Sequence, residues 1–97
     1  MSQKEVFAEQ LKAQGEVWQA QLVDYQEKLE LAGETARSEY KKALQQMETQ
    51  ARAVNTLLQG VRNVNEAAWK DVETARQKAF AELQKGWADA ISRFLNR

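Results

Sequence analysis

Apolar residues recur along this chain every eleven positions. Phe7, Trp18, Leu29, Tyr40 and Ala51 form one series, and Leu11, Leu22, Gly33 and Leu44 form another. Tyr25, Ala36, Met47 and Leu58 repeat the spacing, as do Trp69, Phe80 and Ile91, and Val72, Leu83 and Phe94. Eleven residues over three turns is about 3.67 per turn, close to the 3.6 of a straight α-helix. Such a stripe stays on one face of a nearly straight helix, whereas a strand requires alternation with period two. The pattern therefore predicts helix almost throughout.

Boundaries follow from capping chemistry. Ser2-x-x-Glu5 fits a capping box, in which the Ser oxygen accepts an orphan N–H at a helix start. Gly60 suits a left-handed residue just past a helix end, and Asn63-x-x-Glu66 suits a following N-cap. These signals predict a helix over 3–59, a turn over 60–65 and a second helix over 64–95. Gly33 is the ambiguous point. The eleven-residue series passes through it in phase, and a lone glycine costs a helix only about 1 kcal/mol relative to Ala. The predicted fold is thus a single all-α domain over 1–97, a long antiparallel helical hairpin or coiled coil. The alternative is a three-helix bundle with a break near Gly33.

The hairpin has a consequence. Its second helix covers the first only back to about residue 30, so residues 3–30 lack an intrachain neighbour. Phe7, Leu11, Trp18, Leu22, Tyr25 and Leu29 then form an exposed apolar stripe, the mark of an interaction surface. They are the candidate interface for a homodimer or a helical protein partner. Tyr40, Leu44, Met47, Leu58, Trp69, Val72, Phe80, Leu83, Trp87, Ile91 and Phe94 are the candidate helix-packing seam. A bundle broken at Gly33 would instead satisfy the stripe within the monomer.

Composition agrees with helices. The 97 residues include no proline and four glycines, too few for a fold of many turns. Histidine and cysteine are absent, which removes the commonest general base, the commonest transition-metal ligands and any disulfide. Glu5/Glu9 and Glu30/Glu34 stand four apart, but a di-metal carboxylate bundle usually adds a Glu-x-x-His motif. No catalytic, cofactor-binding or metal site is predicted, and the expectation is a protein that is not an enzyme. No apolar run approaches the roughly 20 residues of a membrane span, and no secretory signal opens the chain, so the expected location is the cytoplasm.

The formal net charge is zero, which argues against a nucleic-acid partner. It is unevenly spread, with the first half acidic and the second basic, so the halves are suited to pack on each other. The acid-free stretch 49–65 offers a docking tip at one end of the rod. Residues 64–97 also carry an apolar face with Trp69, Phe80, Trp87, Ile91 and Phe94, and the cations Arg76, Lys78, Lys85, Arg93 and Arg97. Interfacial helices share that design, so a lipid or hydrophobic-granule surface is the competing partner.

Leu11, Trp18, Tyr40, Ala68-Trp69-Lys70-Asp71, Ala79-Phe80 and the closing Ile91-Ser92-Arg93-Phe94 together resemble a group of short, uncharacterised bacterial coiled-coil proteins. That group shares an early Trp, a mid-chain Tyr, Ala-Trp pairs and a terminal Ser-Arg-Phe. Phe80 stands where the group commonly has Trp, and Gly33 and Gly60 are departures of this chain. The resemblance implies a bacterial source and long helices, with no known activity. More distantly, the composition is similar to that of phasins, which coat storage granules. The functional expectation is a non-catalytic structural or interaction protein that self-associates or scaffolds a larger complex. The alternative is a phasin-like amphipathic surface binder.

Overall fold

The computed structural model describes residues 2–95, which form three helices of nearly equal length. Helix α1 spans Gln3–Leu31, α2 spans Glu34–Asn63 and α3 spans Glu66–Leu95. They pack side by side into a rod of 53 × 19 × 16 Å. Arg97, counted above toward a basic face, lies outside the described residues.

The fold is all-α, and the long first helix of the hairpin is replaced by two. The chain leaves the helix at Ala32 (ψ 145°) and Gly33 (ψ 167°), both extended. The Ala32 N–H bonds to the Leu29 carbonyl and closes α1, and the Gly33 carbonyl accepts from the Ala36 and Arg37 N–H groups to open α2. Lys28 lies in the last turn of α1 and Glu34 in the first turn of α2. Each charge is placed favourably for its helix dipole. The reason for the break is burial. Folding back at residue 32 lets α2 cover the apolar face of α1, and that gain far exceeds the hydrogen bonds of one continued turn.

The other predicted boundaries shift by a few residues. Ser2 does cap α1, its Oγ accepting from the Glu5 N–H at 3.1 Å. Gly60 is not a helix end: it lies inside α2, and no described glycine has positive φ. The turn is only Val64-Asn65, shorter than 60–65, and α3 begins at Glu66 rather than 64. Asn65, not Asn63, is its cap, with Oδ1 accepting from the Ala68 N–H at 2.9 Å. Asn63 ends α2 because Val64 has already turned to ψ 130° and bonds back to the Val61 carbonyl.

The chain runs up, down and up, so α1 and α3 are parallel. Ser2 Oγ donates to Glu66 Oε1 at one end, and Tyr25 meets Phe94 near the other. The core is one continuous column including Leu11, Leu22, Met47, Val54 and Val61. Helix α2 lies close to both neighbours, through Ala43 and Ala51 as well as larger residues, while α1 and α3 approach each other less closely. Aromatic side chains span that wider gap. Trp18 stacks on Trp87 at 4.6 Å and 5°, and Phe7 sits between Trp69 (5.7 Å) and Phe80 (5.8 Å).

Candidate interaction surface

The six side chains expected at a partner interface lie within the bundle. Phe7, Leu11, Trp18 and Leu22 are buried, and Tyr25 and Leu29 pack against the core from its edge. The premise that residues 3–30 have no intrachain neighbour fails because the break at Gly33 brings α2 and α3 over them. Of the seam residues, Leu44, Met47, Leu58, Trp69, Trp87 and Phe94 are buried. Tyr40, Val72, Phe80, Leu83 and Ile91 are partly buried against them. One column therefore gathers both sets, and the partner-seeking stripe and the packing seam are the same core.

Polar groups fix the helices in register. Trp87 Nε1 donates to Gln21 Oε1 at 3.0 Å, tying α3 to α1 beside the stacked indoles. Gln46 Nε2 donates to the Gly86 carbonyl at 2.8 Å, tying α2 to α3. A Cβ at Gly86 would meet the Gln50 side-chain amide, so α2 and α3 pass closely at this level and a larger residue there would turn the Gln50 side chain aside. At Gly15 a Cβ would stand 3.3 Å from Asn55 Oδ1, so α1 and α2 pass closely at that level. Gln21, Gln46 and Gly86 carry no apolar signal, so periodicity alone does not single them out.

With the stripe internal, the surface to consider is what remains outside. Between α1 and α2, and between α2 and α3, the grooves carry charge: Lys4, Glu5, Glu9 and Arg62 line one part, and Arg76 and Glu82 another. Between α1 and α3 the surface differs. Two shallow depressions share Gln10 and run on from each other. Gln3, Val6, Gln10, Ala13, Gln14 and Val17 line them from α1, and Glu73, Gln77, Phe80 and Gln84 from α3. Val6 and Val17 are exposed by 44% and 50%. At 100° per residue, Ala20 extends the same strip on α1, and Ala81 and Ala88 extend it on α3. All three are exposed. The strip is uncharged from Gln3 to Gln21 on α1. On α3 it is bordered by Glu73, which accepts from Gln77 Nε2 at 3.4 Å.

The strip's spacing is also distinct from the core's. Val6, Ala13 and Ala20 stand seven apart, and so do Ala81 and Ala88, with Gln77 and Gln84 beside them. Small residues at heptad spacing allow another helix to approach closely. Among the described residues no group of three or more His, Cys, Asp or Glu side chains is positioned to hold a metal ion. No described helix is long and apolar enough to cross a membrane.

Comparison with models of protein families, with curated proteins and with solved structures gives no match to this chain.

Proposed function

We propose that this protein is a non-catalytic helical interaction module, a small preformed rod that offers its α1/α3 face to another helical surface. The observation that carries the reading is the strip of exposed Val, Ala and Gln across parallel helices, with Glu73 the one charged side chain lining it, in a chain where 29% of residues are charged. Lys and Glu are the usual occupants of solvent-only helix faces, and their depletion is one mark of an interface centre. Self-association and assembly into a larger complex are both served by such a face.

A photo-reactive side chain placed at Val17 tests this in the native cell. Position 17 is expected to yield a defined cross-linked species, whereas the same group at the exposed Gln45 on α2 yields none. Equal labelling from both positions, or none from either, would end the reading. Adsorption to a lipid or granule surface is the competing function, and it predicts vesicle flotation in place of a protein cross-link.

A further inference from the structure

We infer that the occupant of the α1/α3 face is a second copy of this chain, docked with the two-fold axis parallel to the rods. The inference rests on the interaction reading above and names its partner. It comes from how charge is arranged beside the strip.

Heights along the two parallel helices are set by the aromatic contacts. Trp18 lies level with Trp87, and Tyr25 with Phe94, so α1 and α3 run together with an offset of 69 positions. By that offset Glu9 lies level with Lys78, and Glu16 with Lys85. All four are exposed. On the helical wheel Glu9 and Glu16 fall at the outer edge of α1, just beyond the strip on the side away from α3, where they also border the α1/α2 groove. Lys78 and Lys85 fall on the back of α3, just beyond the strip on the side away from α1. The face thus has Glu9 and Glu16 along one margin and Lys78 and Lys85 along the other, at matching heights and with the same spacing of seven, while the exposed Glu82 and Asp89 lie further round α3, away from the strip.

A two-fold axis parallel to the helices lays α1 of one copy over α3 of the other. Glu9 and Glu16 then face Lys78 and Lys85 of the partner subunit, and by symmetry the same pairs form along the opposite edge. An axis perpendicular to the helices would instead set α1 against α1, bringing acid to acid and base to base. Between the margins, Val6, Ala13, Val17 and Ala20 meet Ala81 and Ala88 of the partner subunit, positions that do not repel. Flanking pairs of this kind set partner choice and orientation in coiled coils.

The strip is about 27 Å long at 1.5 Å per residue, and the rod is 19 Å across. Two such faces bury on the order of 1,000 Å², the lower limit of specific interfaces. The dimer is accordingly weak and salt-sensitive.

Sedimentation equilibrium on the full chain up to several hundred micromolar, at low and high salt, tests this. The expected result is reversible dimerisation that weakens at least tenfold in high salt. The double variants Glu9→Lys/Glu16→Lys and Lys78→Glu/Lys85→Glu should each be monomeric while keeping the parent's helix content and a cooperative melt. Mixed together, they should form a heterodimer, and the quadruple charge swap should recover self-association. A parent chain that stays monomeric throughout, a double variant that still dimerises, or a quadruple swap that does not would overturn the inference. A Val17 cross-link found only to a different protein would also overturn it while leaving the interaction reading intact. Loss of every position-specific cross-link would remove both.

Discussion

Replacing Trp18 by Ala separates a monomeric bundle from an interface stripe. Trp18 is 2% exposed and stacks flat on Trp87 across the α1–α3 gap. A ring so fully covered by its own chain has almost no surface to offer a partner, so its loss should act on folding. Truncating a buried Trp to Ala costs about 3–5 kcal/mol, including the cavity left behind. A domain of 97 residues has a total stability on the order of 5–15 kcal/mol, so the variant loses about a fifth of it or more. At roughly 4–8 °C per kcal/mol for this size, the melting midpoint should fall by at least about 12 °C. Far-ultraviolet circular dichroism during a thermal ramp reads this directly, with Val17→Ala as the exposed neighbouring control. A fall of less than about 3 °C, the range of ordinary surface changes, would refute the internal placement of Trp18. A simultaneous drop in oligomer mass would then restore the stripe as an interface.

Three further outcomes follow from individual contacts. Asn65→Ala removes the side-chain cap of α3 and should cost about 1 kcal/mol in urea unfolding, whereas Asn63→Ala should cost a few tenths at most. Gly33→Ala should change stability by less than about 1 kcal/mol. Its φ of −71° suits any residue and a Cβ there meets nothing within 4 Å, so the restricted unfolded chain favours Ala, while Gly33 is the N-cap of α2, where Ala is the poorer residue, and the two effects offset. Gln21→Leu leaves the buried Trp87 indole N–H without its acceptor and should destabilise by about 1–3 kcal/mol; in Gln21→Leu/Trp87→Phe the second change should recover part of that loss.

The helical class and the core were legible because period and burial are tied: a residue such as Leu11 or Met47 sits at the stripe's centre and at the rod's axis alike. The break was not legible from the period, because phase says which side chains are apolar and nothing about backbone continuity. Leu22 and Leu44 stay eleven-fold related whether residue 33 is helical or extended, since both face a core in either arrangement. The signals that do mark the break are local. Lys28 precedes Leu31-Ala32-Gly33, and Glu34 follows it, the charges that suit a helix end and a helix start. Covering six large side chains within the chain is also cheaper than recruiting a partner, which costs translational and rotational freedom. The outer strip was illegible for a different reason. Val6, Ala13 and Gln77 look unremarkable in sequence, and only the parallel placement of α1 and α3 joins them into one face.

That same placement bears on surface adsorption. To lay its aromatic side chains on a lipid or granule, the bundle must first withdraw Phe7, Trp18, Trp87 and Phe94 from the core in which they are buried. Each forgoes roughly 1.5–3 kcal/mol of burial on exposure, so opening costs on the order of 6–12 kcal/mol, comparable to the whole stability of the fold. Adsorption is then coupled to loss of tertiary structure, and its strength should rise as the bundle is weakened. Trp18→Ala should float with anionic vesicles more readily than the parent chain, although it has lost an aromatic anchor. Helix content should persist while the Trp18–Trp87 stack, read as near-ultraviolet dichroism in the parent, disappears on binding. A parent chain that floats with its near-ultraviolet signal intact would place the lipid contact on the outer strip of the closed rod, and adsorption would then not require the bundle to open.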